Sequence, residues 1–546
     1  MPGSNLVYIL PKKIYKINII FISIISAIIA GVASRASATF EQLAVSPKAL
    51  SLGNAVTAYP MGVMSIHYNP ASLSYLKDNE RSIGFTYMPI MKKQSKFDQS
   101  PEYPGLVTEA VDPVAGSSGT TTSGAVRYPL SGVKNFMGFP NLGISHRTYG
   151  SKWTFAFGMY APYAGGFNHG HSNDPARFGG ERAYNQRFVY AAPGLAFQVS
   201  DTLSIGFSIC LGQSSRGLNQ SFRAPNDITA ITDIIGQATE GLNIPVLTDL
   251  TLPGPWLGGG LPTYGAFADF EMELIDDLDT SYNIGMSWEP FKWLAFGACY
   301  QSEAKSKPYG KYTFKYSERF QNFVRWFTLS PVTVMIGSTL NMLMVSTPYQ
   351  SGTVTLKKAI HPQRSQFGVM FRPFERLRLM CDLNWTNWSA IDKEVYTFDQ
   401  DIQLLQATTF LGYSLGRRTY VVKRDLKDIW HTSYGLEVKP FHWMSLRAGY
   451  EERKSYINDD RLFDLTLPIQ DMDIYTFGLG LELNPAWSVD LACAYMKSDT
   501  YKIRYKDGIL MSSADFFDVN HNPYPGMDYE QKTKAVLFSF GINYAW

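Results

Sequence analysis

"KAVLFSFGINYAW" runs from Lys534 to Trp546 and closes the chain. Val536, Phe538, Phe540, Ile542, Tyr544 and Trp546 share one parity, while Leu537, Ser539, Gly541, Asn543 and Ala545 share the other. A period of two is that of a β-strand, here with one face bulky and apolar and the other small or polar. The pattern recurs in "RSIGFTYM" (81–88), "KWTFAFGMYAPY" (152–163), "TLSIGFSIC" (202–210), "SYNIGMSW" (281–288) and "DIYTFGLGLEL" (473–483).

A soluble sandwich also alternates, so the spacing between strands decides. Fourteen or so strands are expected between residues 81 and 546, the last over 534–546. Short connections stand at Gly150-Ser151, Ser200-Asp201, Phe291-Lys292, Phe374-Glu375, Phe441-His442 and Pro485-Ala486. They alternate with long loops near 92–138, 163–186, 216–278, 308–362, 392–427, 456–470 and 501–533. An even strand count with tight turns at one end and long loops at the other is the pattern of an outer-membrane barrel. Trp153, Phe291, Trp293, Phe374, Phe441, Trp443, Trp487 and Trp546 gather at the tight-turn end, as an interfacial girdle requires. Asp382, Arg447, Glu482 and Asp490 sit on the non-apolar parity. On the lipid side at mid-depth a charge would cost about 2–4 kcal/mol. The fold class is therefore all-β, a transmembrane antiparallel barrel.

Composition agrees. Charged residues make up 18% of the chain and aromatics 14%, and mean hydropathy is only −0.13, so apolar residues alternate rather than run together. Lys12, Lys13 and Lys16 precede an apolar run from Ile17 to Val32 that ends in Ala36-Ser37-Ala38, a signal peptide (1–38) cleaved after Ala38. Its removal takes away Lys12, Lys13, Lys16 and Arg35 and turns a net charge of +2 into −2. Nothing there points to a nucleic-acid partner. Cys210, Cys299, Cys381 and Cys493 lie far apart in strand-like runs, with neither metal-ligand spacing nor a disulfide framework.

Gly84, Gly143, Gly158, Gly194, Gly206, Gly285, Gly297, Gly368, Gly435, Gly449, Gly478 and Gly541 share the inward parity. Glycine weakens a strand and marks close approach of another backbone. A water-filled pore with a charged constriction has no need of such a wall. Residues 39–80 precede the first strand, lack sustained alternation and are too apolar for a disordered tail; they read as a hatch folded inside the barrel (81–546).

Asn69-Pro70-Ala71 after the small-residue run Gly53-Asn54-Ala55, with "FGMYAPYAGG" (157–166), "WTNWS" (385–389) and "LRAGYEE" (446–452), resembles the FadL-type (OMPP1/FadL/TodX) family of outer-membrane transporters. The resemblance implies fourteen strands, an N-terminal hatch, a surface groove made by the third and fourth outer loops, and diffusion-driven uptake of hydrophobic compounds, long-chain fatty acids or aromatic hydrocarbons. Partners so implied are the hydrophobic ligand, outer-membrane lipid and lipopolysaccharide, and the barrel-assembly machinery acting on the C-terminal strand. A long acyl chain gains about 0.8 kcal/mol per methylene on leaving water, so it needs a succession of apolar sites.

Those two loops carry helical patterns. Ile228, Ile231, Ile235, Ala238 and Leu242 are spaced for a helix, as are Phe320, Phe323 and Phe327, followed by an apolar run over 332–345. Ile231, Ile235, Phe320, Phe323, Trp326 and Phe327 are the expected groove residues. Pro162 at the end of the third strand and Pro193 inside the fourth, with Gly158 and Gly194, are the expected site of a lateral opening, since proline cannot donate to a ladder. Arg216, Arg378 and Arg447 have inward parity and are candidates for a ligand carboxylate, unless they hold the wall together through acidic partners.

Two other chemistries are weaker. "WHTSYG" (430–435) places His431 and Ser433 on one face, like the His-x-Ser of an outer-membrane phospholipase, but that face turns inward and Tyr434 follows. His169 and His171 could converge on a metal, yet a glycine-rich loop suits them as plain polar residues. No phosphate or dinucleotide fingerprint appears in context. No catalytic residue, metal or cofactor is expected.

Overall fold

The computed structural model describes residues 41–546 apart from 44, 109, 123, 171–172, 248–249, 409–415, 460–464, 466–470 and 507–522. The signal-peptide stretch and His171 lie outside the described residues. Fourteen wall strands are antiparallel to their neighbours. They are β1 (Glu80–Gln99), β2 (Gly138–His146), β3 (Trp153–Asn168), β4 (Arg182–Gln198), β5 (Leu203–Phe222), β6 (Ala268–Phe291) and β7 (Leu294–Gln301). Then follow β8 (Arg364–Phe374), β9 (Leu377–Thr386), β10 (Ile429–Phe441), β11 (Met444–Arg453), β12 (Met472–Glu482), β13 (Trp487–Ser498) and β14 (Met527–Ala545). Pairing of β14 with β1, from Glu80↔Ala545 to Gln99↔Met527, closes the barrel and leaves no open edge.

On the closing strand Phe538 and Phe540 are exposed while Leu537 and Ser539 are buried, as the alternation requires. Phe291 stacks on Trp293 and Phe441 on Trp443 at the tight turns, all four exposed as a girdle must be. Asp382, Arg447 and Asp490 are buried in the lumen, whereas Glu482 sits exposed at the turn rim and pairs with Lys439 at 3.0 Å.

The sheet reaches further out than the apolar pattern does. β1 continues past Met91, and β6 begins at Ala268 rather than near 279. The segments Tyr309–Tyr316, Tyr349–Leu356, Lys393–Phe398 and Thr419–Lys423 extend the wall above β7, β8, β9 and β10. Above Ile90 the outward positions of β1 become Lys92, Gln94 and Lys96. The strand continues there while its period-two apolar signal stops, so parts of the expected loops 92–138, 216–278 and 308–362 are sheet.

Inside the barrel lies the segment from Glu41 to Tyr75, with helices α1 (Pro47–Ser51) and α2 (Ser65–Tyr68) and a 3-10 turn over Pro70–Tyr75. Of the twelve inward glycines, eleven are positions where an added Cβ would meet residues between Pro47 and Ala71; the exception, Gly84, faces Asn141. Many are cross-strand partners: Gly143↔Gly158, Gly206↔Gly285, Gly297↔Gly368 and Gly435↔Gly449. A Cβ on Gly206 would strike the Ala71 amide and the Pro70 carbonyl, and one on Gly297 the Thr57 carbonyl. Both obstacles are backbone, which cannot swing aside. Ala156, Ala192, Ala196 and Ala295 complete a wall of small residues around the hatch.

Overpacking of this kind costs about 1–3 kcal/mol per site. Gly206→Ala with Gly297→Ala is expected to loosen the hatch and give frequent large conductance steps in planar bilayers, with the heat-modifiable gel mobility of a folded barrel retained. Quiet traces like those of the unmodified protein would show that hatch seating does not depend on these glycines.

Candidate functional site

The hatch is held by polar groups as well as by shape. Asn69 caps the 3-10 turn by accepting from the Ala71 amide at 3.1 Å, and its Nδ2 donates to Thr57 O at 2.7 Å and to Met286 O of β6 at 3.0 Å. Asn69, Pro70 and Ala71 therefore sit against the Gly206–Gly285 pair as one pinned unit. Gly53 has a left-handed φ of +60° and packs on the backbone of Tyr450, where a side chain would not fit. Asp382 of β9 accepts from the Val56 and Thr57 amides at 2.9 and 2.8 Å. Glu437 accepts from Tyr59 at 2.7 Å and Glu451 from Asn54 at 2.8 Å.

The wall is irregular at β3 and β4. Their register slips between Gly158 and Tyr160 and again between Tyr160 and Tyr163, so Pro162 lies in a mid-strand bulge rather than at a strand end. β4 slips against β5 between Val189 and Ala191, so the break precedes Pro193, which with Gly194 stays in register with β3. Glu41 bridges Tyr163, and the Gln42 amide donates to Pro162 O at 2.8 Å. The start of the described chain thus lies across the bend. Arg364 anchors it through a buried ion pair with Glu41 at 3.2 Å.

Beside this bend is a small cavity of about 20 Å³, lined among others by Gln42, His67, Tyr160, Pro162, Arg187 and Val189. Its polar side is a network. Arg187 donates to Asp279 at 2.7 Å and to Ser281 at 3.0 Å, and Ser214 bridges Asp279 and His361. His67 Nε2 meets the Gln42 amide oxygen, while its Nδ1 is buried without a hydrogen-bond partner. These residues come from the hatch and from four parts of the wall, and no local motif announces them.

Arg216, Arg378 and Arg447 do not present a free cation. Arg216 pairs with Glu394, Arg378 with Glu437, and Arg447 with Glu437 at 2.8 Å and Asp490 at 2.6 Å. They tie the wall together.

The outer loops form a compact unit built on α3 (Asp227–Ala238), α4 (Glu318–Trp326) and α5 (Pro331–Thr339). Phe320, Phe323, Trp326 and Phe327 do not line a groove. They are almost fully buried with Phe270, Phe314 and Phe398 in the core of this unit. The reason is the opposite face of α3: Thr229, Ala230, Thr232 and Gly236 point inward, and Gly236 packs on the Gly259-Gly260 backbone. Arg319 joins α4 to α3 through Asp233 at 2.6 Å. Burial would raise the Asp233 carboxyl, but hydrogen bonds from Arg319 and Gln237 outweigh it and hold the group below its ordinary value. Exposed apolar side chains are instead Ile231 and Ile234 of α3 with Val334, Met335 and Leu343 at α5, Ile235 being half-buried.

His431 and Ser433 are buried on the lumen side, His431 facing Glu451 at 3.3 Å and Ser433 meeting Asn384 at 3.4 Å. His169 faces Asp174 at 3.2 Å. Among the described residues no group of His, Cys, Asp and Glu is arranged to hold a metal, and the four cysteines are free.

The family model described as outer membrane protein transport protein (OMPP1/FadL/TodX) matches residues 26–546. A FadL homologue of Pseudomonas aeruginosa superposes with a TM-score of 0.63 at 14% identity, covering 93% of this chain and 100% of that one. The Pseudomonas putida toluene transporter TodX gives 0.58 at 15% identity, covering 91% and 97%. The CymD monoaromatic hydrocarbon channel gives 0.54 at 14%, covering 93% and 99%. At such identities these likenesses establish the fold. A search of curated proteins found no match.

Truncating a buried phenylalanine costs about 3–5 kcal/mol, whereas exposed positions change stability by about 0.5 kcal/mol or less. Phe323→Ala is expected to open the loop unit to trypsin at Arg319 and Arg325 within the intact barrel. Ile231→Ser should leave those bonds as resistant as before. Equal resistance of both variants would contradict the placement of Phe323 in a loop core.

Proposed function

The chain belongs to the OMPP1/FadL/TodX family of outer membrane transport proteins, and from that premise we propose that it takes up long-chain fatty acids by outer-loop capture, passage to the cavity between the hatch and the β3 bend, and release sideways through that bend. Transport of hydrophobic compounds across the outer membrane is the activity of the family. The observation that carries the finer reading is the mixed lining of the cavity. Tyr160 and Val189 offer apolar surface, and His67 offers a buried ring nitrogen with no partner. With Nε2 assigned as donor to the Gln42 amide oxygen, neutral His67 presents Nδ1 as an acceptor. That suits the O–H of a protonated carboxylic acid, which an aromatic hydrocarbon lacks. A protonated acid is also the form that can enter lipid without carrying a charge there.

The route follows from what lies where. Ile231, Ile234 and Met335 give the cargo a first apolar surface. Residues 41–42 lie across the bend next to the cavity, so their displacement opens the wall without withdrawal of the whole hatch. The acyl chain then passes from the cavity into the membrane and avoids the aqueous periplasm.

In cells lacking their own fatty-acid transporter, Ile231→Ser with Ile234→Ser and Met335→Ser is expected to lower uptake of labelled oleate several-fold at limiting concentration. Excess toluene should compete poorly. Toluene uptake in place of oleate would assign the protein to aromatic hydrocarbons.

Glu41→Cys with Tyr163→Cys places thiols on bridged neighbours. Oxidation of this variant should block oleate uptake and a reductant should restore it, while each single variant stays insensitive. Full uptake by the crosslinked protein would send the cargo by another path.

A further inference from the structure

The outer wall at the β13–β14–β1 seam carries a row of like charges. Lys534 of β14 is the register partner of Lys92 on β1 and of Lys497 on β13. Lys532 follows on the same face of β14, opposite Gln94. All share parity with exposed Ile90, Phe538 and Tyr495, so they point away from the lumen. Cβ atoms of directly opposed residues stand about 4.5–5.5 Å apart, and like charges there are destabilising. None of these four lysines has an ion-pair partner among the described residues. The nearest acid in the row, Asp473 opposite Lys497, accepts from Tyr450 at 2.8 Å.

The rows above and below define what the patch faces. Below it lie Tyr495, Val536 and Ile90, cross-strand neighbours at the upper end of the lipid band. Above it the charges are balanced, with Lys96 paired to Asp98 at 2.5 Å and Lys502 paired to Glu530. Lysines without an ion-pair partner among the described residues thus gather where apolar surface ends on the side of the long loops, with Asp473 at one end of the row. In an outer membrane that height is the headgroup level of the outer leaflet.

We propose that Lys92, Lys497, Lys532 and Lys534 bind the phosphate groups of an outer-leaflet glycolipid of the lipopolysaccharide class, whose acyl chains lie on Ile90, Val536, Phe538 and Tyr495. Ammonium groups bind phosphate as point charges, and a phosphate between two strands relieves the repulsion the row creates. The site lies on the outside of the wall, remote from the lumen route, and stands or falls independently of it.

The test is native mass spectrometry of the full-length protein in detergent micelles with bisphosphorylated lipid A, the same lipid dephosphorylated, and inorganic phosphate. Bisphosphorylated lipid A should bind at least about tenfold more tightly to the unmodified protein than to the variant with all four lysines changed to Gln. A control with Lys305, Lys311, Lys315 and Lys393 changed to Gln, on other strands, should bind like the unmodified protein. Dephosphorylated lipid should not distinguish the variants, and millimolar phosphate should not displace the lipid. Equal binding by unmodified and four-lysine variants, each with the heat-modifiable mobility of a folded barrel, would overturn the proposal. Displacement by phosphate alone would also overturn it, by making the patch a free-anion site.

Discussion

A β-barrel wall can touch a peptide backbone only where it gives up its own side chains. This constraint organises the molecule. The hatch runs against the inner face of β2 to β14, and at eleven positions where it presses on a strand the wall carries glycine. Pairing the glycines across strands concentrates the weakness that glycine brings to a sheet, yet closure of the barrel supplies every strand with two neighbours. The wall can therefore afford bare patches that an open sheet could not. The hatch in turn gains contacts over nearly its whole surface, which is why short helical turns that would be marginal alone are stable there.

Polar groups add orientation to that fit. Backbone donors at Val56 and Thr57 are received by Asp382, and side chains of Asn54 and Tyr59 by Glu451 and Glu437. Each of these acids would be costly to bury alone. Glu437 also meets Arg378 and Arg447, and Glu451 meets Arg453. Breaking one partner of such a buried pair costs about 3–5 kcal/mol, even where the pair adds little net stability over an apolar substitute. The lumen thus holds the hatch in one register, and it does so with charges that lipid never sees.

The wall was legible in sequence because lipid imposes a rule on every residue that faces it. Period-two patterns located each crossing, and the parity of the glycines pointed to a filled lumen. Where lipid ends the rule ends: Lys92, Gln94 and Lys96 look like loop although they remain in strand. Helical spacing showed that α3 and α4 each have an apolar face but not where that face points. In α4 it points inward, burying Phe320 and Phe323; in α3 the small polar face is inward and Ile231 is left outside. Pro193 suggested a break that the register instead places at Val189–Ala191. The polar side of the cavity had no signature, since Arg187, Asp279 and His361 meet only when the barrel closes.

The upward extension of the wall sets a distance. β6 alone has 24 residues; at about 3.4 Å per residue and a tilt near 40° it climbs roughly 60 Å, against an apolar band of about 25 Å. Some tens of ångströms of sheet therefore stand clear of the bilayer and carry the loop unit at their top. The leaflet below them is covered by hydrated sugar, a layer in which an oily solute neither dissolves nor diffuses well. A short barrel would leave its apolar side chains beneath that layer, waiting for molecules that seldom cross it. A tall one lifts them to the side of the medium, beyond the layer that an oily solute crosses poorly.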